Sequence, residues 1–188
     1  QGLRHAGTAI PVFSLRSRDS WGIGDFGDLK KMADWAALTG QQVLQILPVN
    51  DTTMFHNWID SYPYGGISIM ALHPLYADIQ AMCPQDDTVD LSQFEKKRKK
   101  LNDLPALDYD KVSELKWAAM KLLFRHTGQQ VMKSSAYKAF IRQNKKWLRP
   151  YALFCVLRDK FGTADFSQWG KYARYDPVYA VEFDNLDL

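Results

Sequence analysis

Residues 8–47, TAIPVFSLRSRDSWGIGDFGDLKKMADWAALTGQQVLQIL, decide the fold. They open on a short apolar run, TAIPVF, which reads as a buried strand with Pro11 marking an edge or an irregularity. They close on a second run, VLQIL at 43–47, which Pro48 stops. Between the two, residues 25–38 read as a helix. Leu29, Met32, Ala33 and Ala36 fall at i, i+3, i+4 and i+7, one face of a 3.6-residue period. Asp25 can cap the start of this helix and Gly40 can end it. Strand, helix, strand is a βαβ unit, which predicts a parallel strand pair with a right-handed crossover.

Loops that leave the carboxyl ends of parallel strands collect on one face, where ligands bind. Residues 14–24 and 48–68 form two such loops, and long loops in a compact domain tend to be functional. The second is rich in aromatic and polar side chains: Phe55, His56, Asn57, Trp58, Asp60, Tyr62 and Tyr64. Beyond residue 85 the pattern turns helical. Residues 91–100 predict a short charged helix. Residues 110–125 predict a helix with Leu115, Ala119 and Leu122 inward, capped by Asp110 and closed near Gly128. A further helix is expected over 135–144, and another from Pro150 to Gly162, because proline suits a first helical turn. No later run of strands completes the sheet, and a short parallel sheet exposes hydrophobic edges. An incomplete α/β architecture follows, with βα units at 1–86 and a helical subdomain at 87–188. The exposed edges predict self-association, and the first residue, Gln1 rather than Met, leads us to expect a piece of a longer chain.

Composition narrows the function classes. The 24 basic residues barely exceed the 21 acidic ones, a net charge of +3 that gives no broad anion-binding surface. The densest basic run, from Lys96 to Lys100, lacks interleaved aromatics and reads as a solvated helix end, so no nucleic-acid partner is expected. No apolar run approaches the ~20 residues needed to span a bilayer, and no signal-peptide pattern opens the chain. Two cysteines, Cys83 and Cys155, are too few for a disulfide scaffold and point to free thiols of a cytoplasmic protein. The four histidines form no metal-ligand spacing, so neither a metal nor a cofactor is expected.

One motif points elsewhere. Gly22, Gly24 and Gly27 match G-x-G-x-x-G between a strand and a helix, and Asp51 follows the second strand. A nucleotide (NAD or NADP) site is therefore an alternative. Two points oppose it. Residues 14–21 separate the glycines from the strand, and Asp25 puts a carboxylate where a pyrophosphate needs bare N–H groups.

The same residues carry a family resemblance. PVFSLRS at 11–17, GIGDFGDL at 22–29, DW at 34–35, ILPV at 46–49, DSYPY at 60–64 and ALHPLY at 71–76 resemble the opening of the amylomaltase barrel. This is the disproportionating-enzyme family, glycoside hydrolase family 77. YALF at 151–154 and FG at 161–162 continue the likeness. Many bacterial members read D-S-P-Y-Q where this chain reads D-S-Y-P-Y-G-G, a variant that resembles the branch of the plant cytosolic disproportionating enzyme.

The resemblance implies a partial (β/α)8 TIM barrel with a helical insertion, and a 4-α-glucanotransferase. Such enzymes pass α-1,4-glucan segments to a sugar 4-hydroxyl with retention, using a carboxylate nucleophile and a carboxyl acid/base. In the family these groups lie on later strands, so no catalytic residue is expected here, and this chain alone should be inactive. Substrate contact is carried over to Tyr64, with Tyr62, Asp60 and Ser61 flanking it, because aromatic rings stack on sugar C–H faces. The expected partner is an α-1,4-glucan, a maltooligosaccharide or maltose. A non-catalytic carbohydrate-binding module remains the second alternative. Asp51 and Asp60 are expected to hydrogen-bond within their loop rather than to catalyse.

Overall fold

The computed structural model describes residues 4–86 and 88–179. Strand β1 (Gly7–Ala9), helix α1 (Phe26–Leu38) and strand β2 (Val43–Gln45) follow in order, and the two strands pair in parallel with Thr8 opposite Leu44. The parallel βαβ unit is therefore present. β1 is shorter than the apolar run because Pro11, lacking an N–H, ends the ladder and leads into a 3-10 turn at Val12–Ser14.

Local chemistry fixes both ends of α1. Asp25 accepts the Asp28 N–H at 3.0 Å while the Asp28 carboxylate faces the Asp25 N–H, a reciprocal capping box. Ser20 Oγ adds a 2.6 Å hydrogen bond to Asp28. At the other end Gly40 takes φ +75°, and the N–H groups of Gly40 and Gln41 reach back to Ala37 and Ala36, a Schellman closure that glycine permits. The predicted apolar face is only partly covered: Ala36 is buried, Leu29 and Met32 are half-buried, and Ala33 is exposed.

The remaining helices are α2 (Ile79–Met82), α3 (Ser92–Asn102), α4 (Tyr109–Lys133) and α5 (Ser135–Phe161). Three expectations need correction. The start of α4 is capped by Asp108, which accepts the Lys111 N–H, rather than by Asp110. Gly128 does not close α4. It sits mid-helix against the Phe124 ring, and the helix ends where Ser134 caps α5 by accepting the Tyr137 N–H. Nor does Pro150 start a helix, because α5 runs through it to Gly162, a left-handed C-cap at φ +67°. An interior proline loses its N–H bond and crowds the carbonyl four residues back, and the turns of α5 on both sides carry the helix through that cost.

The chain forms two compact units. The first combines Gln1–Val49 with Leu72–Gln129. Its core packs Val12, Trp21 and Ile23 against Leu75, Ile79, Val112, Leu115 and Ala119. The second combines Asn50–Ala71 with Gln130–Leu188 and centres on Leu153, Leu157 and Trp169. The expected boundary after residue 86 falls at residue 87, outside the described residues.

Candidate functional site

The Gly22–Gly27 region is packed rather than open. A Cβ on Gly24 would collide with the Val12 carbonyl oxygen and the Leu15 side chain, and one on Gly27 with the Asp78 carboxylate. The Gly24 N–H is bonded to Phe13 O at 3.3 Å, and Asp25 caps α1. These glycines serve close approach of the chain to itself, and the Asp25 carboxylate occupies the helix start where a pyrophosphate would sit. Nearby, Lys116 is wholly buried, with Nζ donating to Leu75 O at 2.8 Å and Ala77 O at 2.7 Å and lying 4.0 Å from Asp25. Burial pulls its pKa down to about 8, and burial likewise raises that of Asp25. The basic run on α3 is not uniformly solvated. Arg98 is buried, paired with Glu95 and donating to the carbonyls of Arg18 and Ser20.

The second unit holds the aromatic loop, residues 50–71. Its ends are tied by Asp51 N–H to Ala71 O at 2.9 Å and Ile67 N–H to Asp51 O at 2.8 Å. Asp60 organises its middle. The side chain is 3% exposed and accepts the N–H groups of Met54, Phe55 and His56, the last at 2.7 Å. Thr52 Oγ1 donates to the Asp60 carbonyl. The lone pairs of Asp60 are thus committed to its own loop, consistent with the expected loop role; a direct sugar contact would compete with these bonds.

The rings that this frame presents are open to solvent. Tyr64 is 62% exposed, Tyr62 63% and Trp58 65%. The rings of Tyr62 and Tyr64 lie 5.6 Å apart at 52°. Beside them a groove of about 570 Å³ is lined by Phe55, Trp58, Ile59, Asp60, Ser61 and Tyr62, within the size range of small-ligand sites. The structure therefore brings Asp60, Ser61 and Tyr62 to one groove and sets Tyr64 against Tyr62 at its edge. Phe55 and Ile59 add apolar surface to the groove. Sequence reasoning gave them no role, although an exposed aromatic in a polar loop is a readable signal. Among the described residues no group of three or more His, Cys, Asp or Glu could hold a metal ion, and no helix is long and apolar enough to cross a membrane.

Asp51 is braced from α5. It is 1% exposed, with Oδ1 accepting the N–H and Oγ1–H of Thr53 and Oδ2 accepting the Tyr151 hydroxyl at 2.6 Å. Burial, reinforced by Asp51, pushes the Tyr151 hydroxyl far above its ordinary range. These partners occupy the carboxylate that a dinucleotide ribose would need.

A parallel βαβ start, a braced loop and an aromatic groove together define an α/β protein with an exposed aromatic loop. The chain belongs to the 4-alpha-glucanotransferase family, glycoside hydrolase family 77, whose model matches residues 10–186. It is 42% identical over 175 residues to the 4-alpha-glucanotransferase DPE2 of Oryza sativa subsp. japonica, covering 92% of this chain and 18% of that protein. It is 35% identical over 164 residues to a 4-alpha-glucanotransferase of Chlamydia muridarum, covering 87% of this chain and 30% of the relative. To one of Mycobacterium tuberculosis it is 29% identical over 190 residues, covering 96% and 26%. The chain thus spans under a third of the length of each of these relatives.

Proposed function

We propose that this chain is the amino-terminal part of a glucanotransferase catalytic domain, a partial (β/α)8 barrel with βα units at 1–86 and a helical insertion at 87–188. In this reading it supplies one wall of an α-1,4-glucan site. The observation that carries the proposal is the pair of exposed Tyr62 and Tyr64 rings beside the Phe55–Trp58 groove, on a loop fastened by Asp60. Flat rings stack on the C–H faces of glucose, and the neighbouring polar groups, Ser61 among them, suit its hydroxyls.

The parent enzyme would cleave a maltooligosaccharide and pass the donor to a sugar 4-hydroxyl by double displacement, with its carboxylates beyond Leu188. Asp51 and Asp60 are not offered for that role, since both are buried and hydrogen-bonded within the loop. A cytoplasmic setting belongs to the same reading. So does self-association of the isolated chain, supported by the exposed Trp35, Leu38 and Val43 of the first unit.

The test uses maltoheptaose titrated into this chain, followed by calorimetry, with maltotriose turnover measured in parallel. Binding that Tyr64→Ala weakens, with no glucose released from maltotriose, is the expected result. Unchanged binding by Tyr64→Ala would remove the aromatic wall from the proposal. Glucose release by this chain alone would remove the claim that its catalytic groups lie elsewhere. If the gene ends at Leu188, a non-catalytic glucan-binding module replaces the transferase reading.

A further inference from the structure

The loop that carries Tyr62 and Tyr64 is held from α5 as well as by its own bonds. Three side chains of α5 reach it at successive points. Tyr151 donates to Asp51 Oδ2 at 2.6 Å, Arg158 Nη1 donates to Thr53 O at 2.6 Å, and Asp159 Oδ1 meets His56 Nε2 at 2.8 Å. Tyr151 and Arg158 are seven residues apart and so share one face of the helix, two turns apart. Arg158 is 5% exposed, and its Nε also donates to Asp159 at 2.7 Å, fixing the guanidinium in orientation.

A second observation falls on the same segment. His56 has φ +56°, the left-handed region that a residue with a Cβ enters at a cost. Its N–H is held by Asp60 Oδ2 and its ring by Asp159, so the bonds at its two ends maintain the conformation. A continuous series of hydrogen bonds therefore runs from α5 through Asp51, Thr53 and His56 to Asp60, and Asp60 adjoins Ser61 and Tyr62 in the chain.

We propose that Tyr151 and Arg158 are positioning residues for the glucan loop: they touch no sugar, and they fix residues 51–56 so that Asp60 can set the rings of Tyr62 and Tyr64. This rests on the glucan reading of that loop. Their loss should therefore act on substrate binding through Tyr64 rather than on the chemical step.

The experiment compares maltotriose disproportionation by the full-length enzyme as wild type, Tyr64→Ala, Tyr151→Phe, Arg158→Met, Arg158→Lys and the Tyr64→Ala/Tyr151→Phe pair, well below the unfolding temperature. The loss of each side chain's one charge-assisted bond to the loop predicts that Tyr151→Phe and Arg158→Met each raise KM about tenfold with kcat nearly unchanged. Arg158→Lys should recover most of the KM, since an ammonium can still donate to Thr53 O. The pair should fall short of the product of the two single effects, because both changes act on the Tyr64 ring. Should Arg158→Met not fold, Tyr151→Phe, which removes a single hydroxyl, carries the test. The inference is overturned if Tyr64→Ala raises KM while Tyr151→Phe leaves it at the wild-type value, or if the two effects multiply in the pair. An unchanged KM in Tyr64→Ala would instead sink the glucan reading of the loop.

Discussion

Replacing Lys116 by Met should change how the stability of the first unit responds to alkali. Lys116 is 0% exposed and makes its bonds with two carbonyl oxygens and, at 4.0 Å, a carboxylate. Burial lowers its pKa from 10.5 to about 8. Below pH 8 the ammonium is charged in both states, and the folded state bears the burial cost. Between pH 8 and 10.5 the unfolded chain binds the proton more tightly, so wild-type stability gains with rising pH. At 1.36 kcal/mol per unit, the depression amounts to about 3 kcal/mol over that window. Tyr76, pushed up to about 12 by burial, acts oppositely between pH 10 and 12, but it is present in both proteins and cancels in their difference. Urea unfolding at half-unit steps from pH 7 to 10.5 reads the difference directly. Wild type should gain on Lys116→Met by about 3 kcal/mol across the series. Parallel curves would refute the claim that burial disfavours the charged form of this lysine.

Other outcomes follow from particular contacts. Gly24→Ala should destabilise by about 1–3 kcal/mol or more, because the new methyl meets backbone that cannot swing aside. Gly40→Ala has open space and only its φ of +75° to oppose it, so its thermal midpoint should fall by less. Asp60→Ala strips the acceptor from three N–H groups, and amide exchange at Met54, Phe55 and His56 should accelerate by about 100-fold or more while exchange in the first unit stays unchanged. Arg98 holds Glu95 at a pKa of about 2, below its ordinary 4.5, so its contribution is present above pH 4.5 and fades as pH falls towards 2. Glu95→Gln should therefore flatten the acid side of a pH–melting profile.

How much of the site could be read beforehand varies residue by residue. Tyr62, Tyr64 and Trp58 stand out as aromatics in a polar loop, and the structure leaves all three exposed. Asp60 carries no such mark. A carboxylate beside tyrosines looks alike whether it faces a ligand or its own backbone, and only the turn at residues 54–56 shows that it takes the latter. The part played by Tyr151 and Arg158 was hidden further, since their partners Asp51 and Thr53 lie 100 and 105 residues away. One trace existed: an arginine on the apolar face of α5, where a buried charge must find acceptors.

What the sequence determined by itself is local. The Asp25 capping box, the Gly40 closure, the period of α1 and the Pro11 stop each depend on a few neighbouring residues, so the βαβ start and its helix limits were legible. Local signals also misled, as Gly128 and Pro150 show, because even a helix breaker yields when turns on both sides propagate and pack. Only the tertiary structure decided that the Gly22–Gly27 motif is filled by Val12, Leu15 and Asp78, and that residues 50–71 leave the first unit to be braced by α5. Those outcomes depend on which distant groups satisfy each buried polar atom. No window of neighbouring residues contains that information.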